Sequence, residues 1–120
     1  MKPKVLVTGA NGQLASCIRD LESSFPESDF IFTNTLELDV TNLDQITNFF
    51  IKTKVDWCIN CAAYTAVDKA ENDEKNATNI NVIGVKNLAV VCQKNKTILI
   101  HISTDFVFDG QKTEPYVETD

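Results

Sequence analysis

The segment VLVTGANGQLA, Val5 to Ala15, sets Gly9 and Gly12 three residues apart directly behind an apolar, largely β-branched run. In a strand–turn–helix unit, glycine at position 9 permits a tight turn. At position 12 the missing Cβ lets a diphosphate approach the amides of a helix that opens near Gln13. The chemistry is anion cradling, with Gly9, Asn11, Gly12, Gln13 and Leu14 as its candidate contacts. The dinucleotide fingerprint reads Gly-x-Gly-x-x-Gly, whereas this loop reads Gly-x-x-Gly-x-x-Ala, with Ala15 as the small residue where helix meets strand. The competing reading is a plain turn whose glycines serve only the backbone.

Three further groups carry side chains able to do chemistry. Asp39 either meets an adenine amino group or serves as a turn residue before Thr41. Cys58 and Cys61 form a Cys-x-x-Cys pair, but inside the strand-like run VDWCINCAA. Residues three apart on a strand face opposite sides, so spacing alone does not make them metal ligands. His101, the only histidine, lies in the apolar strand TILIHIS; the sequence reads it as a satisfied core residue.

Positioning these groups requires elements. Val5–Thr8, Phe30–Thr33, Asp56–Cys61 and Thr97–Ile102 are apolar on consecutive positions, as in strands covered on both faces. Between them Leu14, Ile18, Leu21 and Phe25 repeat at helical spacing until Pro26. Thr41 with Asp44 resembles a capping box ahead of Leu43, Ile46, Phe49 and Phe50. Asp68–Lys94 reads as a long helical region, in one or two pieces. It has Ala77, Gly84, Leu88 and Cys92 along one side and Ile80, Ile83 and Val91 along another, so it is expected to pack on more than one neighbour. Alternating strands and helices give an α/β class, doubly wound around a parallel sheet. In such a sheet the ligand crevice lies beyond the carboxyl ends of the strands. Here those ends are Gly9–Gln13, Asn34 and Thr35, Cys61–Thr65, and Ser103–Asp105. An acid ending the second strand would bind a ribose and mark NAD, and a nearby Arg would mark NADP. Thr33, Asn34 and Thr35 supply neither.

With 120 residues, the chain fits one domain over 1–120. Apolar residues at 43% and charged residues at 23% suit a folded protein. A formal charge of −6 with scattered Lys and Arg argues against a nucleic-acid surface. The start Met1-Lys2-Pro3-Lys4 and a brief apolar stretch fall short of a signal peptide or membrane span, so a cytoplasmic location is expected. Cys17, Cys58, Cys61 and Cys92 all lie in apolar stretches and read as reduced core thiols. The last ten residues, QKTEPYVETD, read as exposed loop.

Taken together, VTGANGQLA, LDVTN, INCAAYTAVDKAE, NINVIGVKNLA and HISTDFVFDG resemble the first part of the dTDP-4-dehydrorhamnose reductase family, within the extended short-chain dehydrogenases/reductases. The resemblance runs from Val5 to about Asp120, and HISTDFVFDG is its most specific piece. It implies a Rossmann-type NAD(P)-binding fold. The activity it implies is hydride transfer from NADPH or NADH to the C4 ketone of the nucleotide sugar dTDP-4-dehydro-L-rhamnose. It implies that Thr104 sits at the nicotinamide, its hydroxyl holding the ketone oxygen as the alkoxide develops; the alternative is a hydroxyl that caps a strand end.

By the same resemblance Ala62, Ala63 and Thr65 line the cofactor; Tyr64 reads as packing or as a further cofactor contact, and Cys61, Asp39 and Val40 count among the candidate cofactor contacts. Asn81 matches a helix Asn that organises the active site, or else it satisfies nearby backbone groups. Ser103 and Asp105 read as scaffold, with Ser103 also among the cofactor contacts. Homodimers are implied, in some members with Mg²⁺ at the interface. The family's acid is a Tyr in Tyr-x-x-x-Lys. Tyr64 and Tyr116 are instead followed four residues later by Asp68 and Asp120, so the sequence reads as the N-terminal part of a longer chain, expected to bind cofactor weakly and turn nothing over. Phe106 stands where the family usually has Tyr, which leaves the sugar open. Two rivals share the fold: a non-catalytic NADP-binding regulatory subunit like that of methionine adenosyltransferase, and a nucleotide-sugar epimerase or dehydratase.

Overall fold

Each of the four apolar runs forms a short strand. The computed structural model describes residues 1–62, 79–103 and 109–120, and in it β1 spans Lys4–Thr8, β2 Asp29–Thr33, β3 Trp57–Asn60 and β4 Ile98–His101. They form one four-stranded sheet in the order β2-β1-β3-β4, parallel throughout. Helix α1, Gln13–Leu21, lies between β1 and β2, and α2, Leu43–Lys52, lies between β2 and β3. Wider π-type turns over Asn79–Gly84 run into α3, Val85–Lys94, which precedes β4. The chain steps outward from β1 to β2 and then returns across β1 to β3. The direction of winding therefore reverses between β1 and β3, the place where such sheets open a crevice.

Side chains alternate across the strands and serve two cores. On one face Leu6 and Cys58 meet Ile46 and Phe50 of α2 and Leu88, Val91 and Cys92 of α3. On the other, Val5 and Val7 meet Ala15 of α1, with Ile18, Phe30, Phe32 and Ile59 packed around them. Leu6, Ile46 and Leu88 are fully buried, each worth about 1.5–3 kcal/mol of transfer free energy. Helices on both faces make this the doubly wound α/β fold of NAD(P)-binding domains. Cys58 and Cys61 do fall on opposite faces. Among the described residues no helix is long and apolar enough to cross a membrane.

Several local expectations are corrected. The α2 cap is Asn42, whose side chain accepts from the Gln45 amide at 3.1 Å. Thr41 instead donates its hydroxyl to Asp39 at 2.7 Å. Leu14 and Leu21 on α1 and Phe25 beyond its end are exposed, and the residue that α1 buries is Ala15, because a helix lying close on strands leaves room only for a methyl. Cys17 is exposed, and so is His101 on β4 at the sheet edge. Val82 and Ile83 are exposed as well, whereas among the described residues Gly84, Leu88 and Cys92 of the first expected side and Val91 of the second are buried. Residues 111–120 are almost wholly exposed, as expected of a loop.

Candidate functional site

The turn after β1 is built by glycine. Gly9 has φ +68°, and a Cβ there would lie 2.6 Å from the Cys61 carbonyl carbon and oxygen and 2.7 Å from the Ala62 amide. Both the left-handed backbone and the close passage of β3's exit exclude a side chain. The Gly12 amide donates to the Gly9 carbonyl at 3.0 Å and closes the turn, while the Ala10 amide donates to Thr33 at 3.0 Å and ties the loop to the end of β2.

Gly12 answers to a different constraint. Its φ of −85° and ψ of 171° suit any residue, and an added Cβ would meet one atom, the Gly9 carbonyl oxygen at 3.3 Å. Folding alone therefore gives a weak reason for glycine at this position. Gly12 caps α1 without any side-chain hydrogen bond, and the first turn of that helix carries no acid. An amide-rich, positive helix end is thus presented next to a residue with no side chain, which is what a pyrophosphate requires.

From this mouth a cleft of about 170 Å³ runs along the carboxyl ends of β1, β2 and β3. Of the candidates from sequence, it brings together Gly9, Asn11, Gly12, Asp39, Val40, Cys61 and Ala62. It adds Ala10, Asn34, Thr35, Leu38 and Ile80. Asn34 and Thr35 carried a signal, since they follow β2; Leu38 and Ile80 carried none, because they reach the cleft through the packing of loop and helix. Gln13 and Leu14 open α1 and are exposed, and like the exposed Asn81 and Ser103 they do not line the cleft. Thr104, Ala63, Tyr64 and Thr65 lie outside the described residues, as do Phe106 and the expected helix start at Asp68. The cleft's volume lies below the roughly 300–1,000 Å³ of complete small-molecule pockets.

The walls are held by buried polar groups. The Thr8 hydroxyl donates to Asn60 Oδ1 at 2.6 Å, and the Ala62 amide donates to the same two oxygens at 3.3 and 3.2 Å. Asn60 Nδ2 donates to His101 Nδ1 at 3.3 Å when the imidazole carries its proton on Nε2. This chain of contacts locks the exits of β1, β3 and β4 together. Asp39 lines the cleft, and its Oδ1 accepts from the Thr41 amide at 2.9 Å, the turn role expected of it. Asn87 of α3 donates to the Val40 carbonyl at 3.1 Å and fixes that wall. Burial pushes the Cys61 thiol above its ordinary pKa. The Cys92 thiol beside Cys58, and then burial, push Cys58 up as well. Both thiols stay protonated at neutral pH. Among the described residues no group of three or more His, Cys, Asp or Glu could hold a metal.

The model of the RmlD substrate binding domain matches residues 2–120. The chain belongs to that family. A dTDP-4-dehydrorhamnose reductase of Aggregatibacter actinomycetemcomitans is 38% identical over 117 residues, which cover 98% of this chain and 40% of that protein. A crystal structure of a dTDP-4-dehydrorhamnose reductase from Clostridium acetobutylicum is 43% identical with a TM-score of 0.89, covering 98% of this chain and 41% of the other. The same reductase from Bacillus anthracis, solved in complex with NADP, is 40% identical with a TM-score of 0.88, covering 95% and 40%. The chain thus spans about two-fifths of the length of these relatives.

Proposed function

We propose that this chain forms the coenzyme-binding part of a reductase that uses NADPH or NADH to reduce dTDP-4-dehydro-L-rhamnose at C4, giving dTDP-L-rhamnose. The observation that carries the reading is the Gly12 mouth: an uncapped helix end at the β1/β3 reversal, where glycine has little conformational reason to stand. Gly9, Gly12 and the opening amides of α1 hold the pyrophosphate, Asp39 and Val40 flank the adenosine, and Cys61 and Ala62 form the floor between. The bound dinucleotide supplies the hydride.

Thr104, Ala63, Tyr64 and Thr65 enter this reading through the resemblance, as do Asn81 and Ser103, and Asn11, Gln13 and Leu14 enter it through the loop itself. Thr104 is assigned the ketone oxygen, whose developing charge its hydroxyl stabilises. The homodimer, interfacial Mg²⁺ and a cytoplasmic location rest on that resemblance and on the sequence. The deciding experiment follows NADPH and NADH oxidation by the intact protein with dTDP-4-dehydrorhamnose. Turnover supports the reductase; binding of dinucleotide without oxidation of either coenzyme supports the regulatory subunit instead. Thr104→Ala is expected to lower turnover about 10²-fold or more with coenzyme affinity nearly intact. An equal loss in both would make Thr104 structural.

A further inference from the structure

We infer that the adenosine end of this cleft selects the ribose 2′-hydroxyl of NADH over the 2′-phosphate of NADPH, and that Glu37 is the residue that discriminates. The inference rests on the dinucleotide reading above. In a sheet of this winding the pyrophosphate lies at the first helix and the adenosine ribose lies at the end of the second strand. That end is Asn34 and Thr35, both lining the cleft.

Beyond them the chain folds back on itself. Glu37 Oε1 accepts from the Asn34 amide at 3.1 Å, and Asn34 Oδ1 accepts from the Glu37 amide at 3.0 Å. The Leu38 amide closes the same turn on the Asn34 carbonyl at 2.9 Å. A carboxylate four residues past β2 is thereby pinned to the backbone of a cleft-lining residue. Sequence spacing alone does not place an acid at the strand end; the reciprocal pair does.

Glu37 itself is exposed and stands beside the cleft, tied to the Asn34 amide; a second carboxylate at this end, Asp39, lines the cleft, and no Lys or Arg does so among the described residues. The sequence's only arginine, Arg19, has its guanidinium over the Phe32 ring, 4.6 Å from the centroid. A ribose finds neutral amide and hydroxyl partners in Asn34 and Thr35. A 2′-phosphate finds like charge and no described cation, and juxtaposed like charges are strongly unfavourable. A relative has been solved in complex with NADP, so the test has a real alternative.

Fluorescence titration of the intact protein with NADH and with NADPH, at about 20 mM and 500 mM salt, measures the selectivity. At low salt NADH is expected to bind about tenfold or more tightly than NADPH, with the gap narrowing as salt screens the repulsion. Glu37→Gln keeps the side-chain reach and its accepting oxygen and removes the charge. It should tighten NADPH by about threefold or more and move NADH less. Equal or tighter binding of NADPH by the unaltered protein overturns the inference while leaving the cleft reading intact. A gap that ignores both salt and Glu37→Gln removes Glu37 from the role. Failure to bind either coenzyme overturns the cleft reading and the inference with it.

Discussion

Gly9 and Gly12 answer to different constraints within one loop. Gly9→Ala forces an L side chain onto φ +68° and drives its Cβ to 2.6 Å from the Cys61 backbone. The left-handed backbone costs about 1–2 kcal/mol, and the overpacking costs about 1–3 kcal/mol more, since β1 and β3 cannot part without disturbing the Thr8–Asn60 contact. The sum is about 2–5 kcal/mol, a large share of the 5–15 kcal/mol that holds a typical domain together. Gly12→Ala meets one oxygen at 3.3 Å with an ordinary backbone; a shift of a few tenths of an ångström relieves it, and the stiffer unfolded chain offsets about 0.4–1 kcal/mol.

Its stability is therefore expected to stay within about 1 kcal/mol of the parent. The larger Gly12→Val fills the space in front of the α1 amides. Losing one or two charge-assisted hydrogen bonds, each about 1.5–3 kcal/mol, should weaken dinucleotide binding by about two orders of magnitude or more. Urea unfolding gives the first quantity and calorimetric titration the second. Gly12→Ala as destabilised as Gly9→Ala, or Gly12→Val with unchanged affinity, would refute the division of labour and with it the cradle.

Asn42→Ala should cost about 1 kcal/mol in thermal or urea unfolding, because it removes the α2 cap, whereas Thr41→Ala should cost less, having no bond to the helix; the reverse order would restore Thr41 as the cap. Stability should also fall in alkali. Cys58 is held protonated in the fold above the ordinary thiol value of 9.0, so above that pH the unfolded chain binds fewer protons than the folded one. Its contribution is fully present below pH 9.0 and is lost as pH rises beyond, at up to about 1.4 kcal/mol per pH unit. Urea unfolding of Cys58→Ala between pH 8 and 10 should show a shallower slope than the parent; parallel slopes would sink the assignment.

The strands were legible because buried parallel strands are runs of apolar residues that need no partner to be recognised, and each observed strand lies within about one residue of its expected ends. The left-handed turn at Gly9 and the small residue at Ala15 were legible for the same reason: both answer to local geometry. The exposure of Leu14, Leu21 and Phe25 was not, because spacing gives the period of a helix and not how near its axis lies to the sheet. His101 read as core, yet it is exposed on β4, an outer strand among those described.

The sequence by itself determined an α/β chain with a glycine turn after its first strand. Only the tertiary structure decided which strand ends share a cleft, since the order β2-β1-β3-β4 comes from the crossovers. Through that order Gly9 touches Cys61, Thr8 reaches Asn60, and Leu38 and Ile80 join a wall with Gly12. Periodicity is a property of neighbours along the chain, whereas a site is made by neighbours in space, and those are fixed by which faces the helices must cover.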